Sequence, residues 1–266
     1  MKMKTIQLTK GSVLVYDFGS VKLHNYNTND VLNDQVILLE KNHQLVVIES
    51  PTFYDNNEEL ESYIRSLDAT IDGVLLAYHM GGGTFLKDAK KYATYHADEY
   101  GHTGGGKALI DGFTKAFGEP FDAKIHDVTD YIEQGTLTLA GISMNIIATN
   151  EAYDIEIPEI NCIYTHMLGS DCHSIIAGVN HANQMLATLK EYIQKDYRLI
   201  LTSHYVSETI AAVHTKIDYI ETLLNIASEC HNAHEMINRV KQEYPNYSGE
   251  NYLEMTANFF FPQNKK

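Results

Sequence analysis

Apolar residues in the first fifty positions fall in short blocks: Val13-Leu14-Val15-Tyr16, Val36-Ile37-Leu38-Leu39 and Leu45-Val46-Val47-Ile48. Four-residue apolar blocks rich in β-branched side chains predict strands, and the turn-forming Lys41-Asn42-His43-Gln44 between the last two predicts a meander. Over residues 58–67 the period lengthens, with Leu60, Tyr63, Ile64 and Leu67 on one helical face. Residues 73–77 then predict a short buried strand that delivers His79 to the glycine turn Gly81-Gly82-Gly83.

Residues 92–100 are rich in tyrosine and histidine, residues 101–106 predict a loop, and residues 108–117 predict a helix. Alternation returns at residues 137–139, 143–148, 154–157 and 161–164, a second meander punctuated by Gly141 and Pro158. Residues 177–194 predict an amphipathic helix with Val179, Met185, Leu186, Leu189 and Ile193 on its apolar face. Leu199-Ile200-Leu201-Thr202 predicts a buried strand running into His204. Residues 207–227, with Ser207 as the cap, and 231–243 predict helices, followed by a Phe-rich tail at 259–261. The order meander, helices, meander, helices predicts an α/β protein of two similar halves in a single domain over residues 1–266.

Composition narrows the function classes. Twenty Lys and Arg against 35 Asp and Glu give a net charge of -15, which offers no electrostatic grip on nucleic acid or an anionic membrane. Cys162, Cys172 and Cys230 lack CxxC spacing, which fits core thiols in a reducing compartment. No apolar stretch reaches spanning length and the amino-terminal run is short for a leader, so the expectation is a soluble, cytoplasmic protein. Its expected partner is a small-molecule substrate or ligand, and homo-oligomerisation is compatible with the composition.

Several segments, taken in chain order, resemble landmarks of the metallo-β-lactamase superfamily. Residues 35–40 and Leu45-Val46-Val47-Ile48-Glu49-Ser50 resemble its opening hairpin, with Glu49 where that family carries a buried Asp. Ile71-Asp72-Gly73-Val74-Leu75-Leu76-Ala77-Tyr78-His79-Met80-Gly81-Gly82 resembles its first metal-binding strand and loop, about four residues short. Residues 132–141 resemble the hairpin before the second histidine strand. Asn150 or Glu151 stands at that histidine, His166 or Met167 at the bridging aspartate, and His204 at the last histidine. The resemblance covers about residues 30–225 and implies a four-layer αββα sandwich and hydrolase chemistry.

The departures change the expected site. The family's reaction rests on two metal ions that acidify a shared water, and most of that ligand set is missing here. His79, His166 and His204 remain as an expected three-imidazole set for one divalent metal, zinc first, or for none. Glu151 and Asp171 are the carboxylates expected to orient a water or act as general base. His102, in the glycine loop, and His173, in a stretch resembling a pocket-bordering loop, are expected substrate contacts. Gly101-His102-Thr103-Gly104-Gly105-Gly106-Lys107-Ala108 also has the GxxxxGK spacing of a phosphate-binding loop, but Ala108 lacks the hydroxyl that would hold Mg²⁺. Two function classes follow: a hydrolase of a small ester, lactone or thioester, or a metal-free binding or regulatory protein that keeps the pocket.

Overall fold

A computed structural model describes residues 2–262. The chain divides into two compact units: the first runs to Met167 and includes Leu199–Ser207, and the second comprises Leu168–Arg198 and the chain from Glu208.

The first unit holds two sheets. In one, β1 (Lys2–Gln7), β2 (Ser12–Asp17), β3 (Lys22–Asn27), β4 (Gln35–Lys41) and β5 (Gln44–Ile48) form an antiparallel meander. It is extended in parallel by β6 (Thr70–Leu75), β7 (Lys91–Ala93) and β8 (Asp130–Tyr131). A parallel neighbour requires a crossover, and α1 (Tyr54–Ser66) supplies the one between β5 and β6. The second sheet is β9 (Gly135–Leu139), β10 (Ile142–Ala148), β11 (Tyr153–Ile157) and β12 (Cys162–Thr165), all antiparallel, with β13 (Leu199–Thr202) parallel to β12.

Burial patterns show how the sheets pack. On β11, Tyr153, Ile155 and Ile157 are buried while Asp154 and Glu156 are not, the alternation of a strand with one inward face. Val36–Leu39 and Leu45–Ile48 are buried without interruption, as expected of strands covered on both sides. Leu60, Tyr63 and Ile64 of α1 join the same apolar cluster as the strands of both sheets. Between β7 and β8 lie α2 (Tyr95–His102) and α3 (Gly105–Phe117).

The second unit is helical: α4 (Val179–Lys195), α5 (Ile210–Glu229), α6 (Ala233–Glu243) and α7 (Glu250–Phe260). Among the described residues no helix is long and apolar enough to cross a membrane. The three cysteines are buried thiols.

Several elements differ from the sequence reading for identifiable reasons. β1 is almost wholly exposed, so it carries no apolar signature. β3 was hidden because its interior holds His24 and Asn25. Both are buried yet hydrogen-bonded, to Tyr63 and Glu40 and to Gln35 and Ser207 respectively. The loop expected at 101–106 is mostly helix. Thr94 caps α2 through Ala97 N, and Gly104, Gly105 and Gly106 pack on the Tyr100 ring so closely that a Cβ on Gly105 would lie 2.9 Å from it. A helix instead of a strand precedes the GxxxxGK spacing, and Lys107 pairs with Asp111 at 2.6 Å, so the phosphate-loop geometry is absent. Ser207 does not cap α5, which starts at Ile210; its hydroxyl donates to Asn25 Oδ1 at 2.6 Å. The expected tail is α7, entered through Gly249 at φ +76°.

The turn after β6 depends on Gly82, which has φ +81° and whose missing Cβ would collide with the Pro51 carbonyl oxygen. Gly82→Ala is expected to lower stability by about 2 to 4 kcal/mol, read as a shifted denaturant midpoint. An unchanged midpoint would show that this turn adapts.

Candidate metal centre

His79 follows β6, His166 follows β12 and His204 follows β13, so three strand ends deliver three imidazoles. One ring nitrogen from each lies within 4.8 Å of the others, and all three residues are half-buried. The rings contact one another, with centroids 5.5 Å apart for His79 and His166, 4.8 Å for His79 and His204, and 5.2 Å for His166 and His204. Among the described residues this is the one cluster of His, Cys, Asp or Glu with metal-ligand spacing.

Each histidine is held by a different device. Glu49, wholly buried at the end of β5, accepts the backbone N–H groups of Tyr78 at 2.8 Å and His79 at 3.0 Å. It also accepts the Tyr164 hydroxyl at 2.6 Å, leaving Ser203 Oγ to donate to that phenol oxygen. Ser203 N donates to the His166 carbonyl at 3.0 Å, which ties the last two strand ends together. Tyr78 stacks on His166 at 4.6 Å with 12° between planes, and its hydroxyl donates to Asp154 Oδ1 at 2.7 Å. Burial pushes the Asp154 carboxyl up to about 6, against the pull of the Tyr78 and Thr165 hydroxyls.

Asp34 provides the third device. It is buried and its Oδ1 lies 3.2 Å from His204 Nδ1, while Oδ2 accepts the Thr52 hydroxyl at 3.0 Å. Burial pulls the His204 pKa down, but the Asp34 carboxylate outweighs it and the net direction is up. Burial also raises the Asp34 carboxyl, and the contact with His204 more than reverses that. Burial, reinforced by the neighbouring imidazoles, holds His166 well below the usual histidine range. Burial lowers His79 as well, despite Glu49 nearby.

This donor set fits a metal. Three imidazoles suit zinc and other borderline divalent ions, and three protein ligands leave a position open to water or substrate. With Zn–N bonds of 2.0–2.1 Å a tetrahedral site separates its nitrogens by about 3.3 Å, so closure by about 1.5 Å suffices. A carboxylate on the far nitrogen of a ligating histidine fixes tautomer and ring orientation, and Asp34 Oδ1, 3.2 Å from His204 Nδ1, is placed to act in that way.

The other expected site residues are not members of this three-histidine group. Glu151 is exposed in the turn after β10. His102 is on α2, exposed, with Nδ1 2.9 Å from Asp98. In the second unit, Asp171 is exposed and His173 is buried, its Nδ1 3.1 Å from the Tyr219 hydroxyl. Sequence reading missed Asp34, Tyr78, Ser203 and Asp154. Asp34 sits in a polar turn 170 positions before His204 and carries no local signal of that partnership.

A further buried histidine braces the glycine turn. His126 N donates to the Met80 carbonyl at 2.9 Å, and Nε2 contacts Ser50 Oγ at 3.0 Å. Because Ser50 donates its own proton to the Gly81 carbonyl at 2.8 Å, His126 must carry its proton on Nε2.

Comparison with known proteins gives the fold. No family model matches the sequence, and no curated protein matches it. A stereoselective inverting sec-alkylsulfatase from Pseudomonas superposes with a TM-score of 0.61 at 14% identity, over 99% of this chain and 50% of that one. A metallo-β-lactamase family protein from Thermus thermophilus gives 0.62 at 12% identity, over 92% of each chain. A metallo-β-lactamase from Erythrobacter litoralis gives 0.57 at 14% identity, over 82% of this chain and 100% of that one. The chain thus spans about half the length of the alkylsulfatase. Its fold is the metallo-β-lactamase-like α/β sandwich, as the ordered sequence landmarks implied.

His126 makes stability depend on pH. Burial, helped by the charges of Lys91 and Lys124, lowers its pKa to about 3, against about 6.5 in an unfolded chain. Below pH 6.5 the unfolded chain takes up a proton that the folded chain refuses down to about pH 3, so stability falls as pH falls through that window. Acidification from pH 6.5 to 4.5 is expected to cost about 2 to 3 kcal/mol through this residue. His126→Gln, which keeps a donor for Ser50, should flatten the acid limb in urea titrations by about one proton; an unchanged slope would refute the assignment.

Proposed function

We propose that this chain is a metal-dependent hydrolase of a small ester, lactone, thioester or related substrate, with one divalent ion, zinc first, held by His79, His166 and His204. The observation that carries this reading is the convergence of three imidazoles from three strand ends, with Asp34, Glu49 and Tyr78 each engaged in positioning one part of the set. A bound ion there supplies the acidified water and the polarised bond that hydrolysis needs. The chain's own residues do the rest: Asp34 orients the His204 ring and Tyr78 covers one face of His166. Glu151 is the first-unit carboxylate proposed to orient the attacking water. His102 is the proposed substrate contact in the same unit. The working compartment in this reading is the cytoplasm.

A second reading has an observation of its own. The three imidazoles contact one another ring to ring at 4.8–5.5 Å and Tyr78 stacks on His166 at 4.6 Å, mutual packing that would also serve a metal-free binding or regulatory protein that retains the pocket. Metal analysis separates the two. Protein purified without chelator should hold about one equivalent of zinc, iron or manganese. His79→Ala or His204→Ala should abolish it, and Asp34→Asn should weaken zinc affinity about 10- to 100-fold. Less than about a third of an equivalent, or full metal content after either histidine substitution, would favour the metal-free reading.

A further inference from the structure

The second unit holds a buried amine that the proposed metal chemistry does not use. Lys216 lies on α5 with 1% of its surface exposed. Its Nζ donates to the Cys172 carbonyl at 2.7 Å, lies 3.0 Å from Ser174 Oγ, and sits 4.9 Å from the centre of the Tyr219 ring. Buried lysines ordinarily meet a carboxylate, yet among the described residues none stands within ion-pair distance of this one. Burial outweighs the more distant Cys172, Glu208 and Asp171 and lowers the amine to about 8.

The neighbours determine what the neutral amine can do. It has two N–H groups and one lone pair. The Cys172 carbonyl and the face of Tyr219 can only accept, so Ser174, with its hydroxyl proton, is the partner for the lone pair. Ser174 is firmly placed. Its carbonyl accepts the Thr256 hydroxyl at 2.7 Å, Ile176 N donates to the Thr256 hydroxyl oxygen at 2.8 Å, and His173 N donates to the Ser248 carbonyl at 2.9 Å. Ser174 is half-buried and Ile175, next to it, is 40% exposed. The Ser174 N–H faces the Tyr219 hydroxyl.

We infer that Ser174 and Lys216 form a nucleophile and base pair acting on small acyl esters, a centre that shares no residue with the three histidines. Ser174 Oγ bonds to the acyl carbon as its proton passes to Lys216 Nζ. The ester C–O bond then breaks and the alkoxide leaves as the alcohol with that proton. Water reverses the sequence: its proton goes to Lys216, its hydroxide adds to the acyl carbon, and Ser174 departs, recovering the proton as the acid is released. Ester and water give acid and alcohol. The charged and titratable groups facing Lys216 are Asp171 and Cys172 before α4, Glu208 before α5 and Tyr219 on α5. His173, Tyr244 and Tyr247 lie against Tyr219.

A fluorophosphonate probe applied to the full chain tests this, because Ser174 Oγ would displace fluoride from phosphorus and keep the adduct. The expected result is one adduct on the peptide containing Ser174, formed about tenfold or more faster at pH 9 than at pH 6.5, since only the neutral amine accepts the proton. Chelation of metal should leave the labelling unchanged. Ser174→Ala should remove it, and so should Lys216→Arg, which stays protonated. Should Lys216→Arg fail to fold, the pH profile of the unaltered protein decides. No adduct, an adduct elsewhere, a flat profile between those pH values, or loss of labelling on chelation would each overturn the inference.

Discussion

One buried carboxylate organises the first unit. Glu49 has no Lys or Arg within ion-pair distance among the described residues, and its charge is met by donors alone: two backbone N–H groups and the Tyr164 phenol. An anion removed from water survives only when such donors converge on it. Its donors come from the loop after β6 and from β12, so satisfying Glu49 ties the two sheets together at the point where the histidines emerge. The Ser203 hydroxyl extends the network through Tyr164, and the Ser203 backbone reaches the His166 carbonyl. The backbone at Glu49 adopts φ +69°, a conformation disfavoured for a residue with a side chain. Local strain of that kind persists only where the surroundings over-determine it, as these donors do.

From that network follows the electrostatic character of the centre. Burial disfavours the charged forms of His79 and His166, so both present neutral imidazoles, the form that binds metal. Asp34 draws His204 the other way, and a histidine made more basic by a carboxylate on its far nitrogen is a stronger ligand. Tyr78 joins these effects physically. Its N–H is held by Glu49, its ring covers His166, and its hydroxyl reaches Asp154 on the second sheet.

Much of this was legible in the sequence, and the remainder was hidden for physical reasons. Apolar blocks revealed β4, β5, β6 and β13 because strands buried on both faces leave continuous runs. The histidines after β6, β12 and β13 could be proposed together because the ordered landmarks supplied a three-dimensional template. β3 stayed hidden because its buried His24 and Asn25 look like surface residues until their partners are known. The partnership of Asp34 with His204 stayed hidden because a side-chain contact across 170 positions leaves no periodicity. The start of α5 was misplaced because Ser207 has the chemistry of a cap but spends its hydroxyl on Asn25. Lys216 and Ser174 escaped notice for a similar reason: a lysine on a helix reads as surface until the helix is seen to bury it.

X-ray absorption at the zinc edge of protein carrying one equivalent of zinc addresses the central claim, that His79, His166 and His204 form one metal centre, most directly. The expected result is three imidazole nitrogens at about 2.0–2.1 Å with one further light-atom ligand, and loss of the imidazole signature when His166 is replaced by alanine. A sulfur ligand at about 2.3 Å, or an unchanged spectrum in the His166→Ala protein, would contradict it.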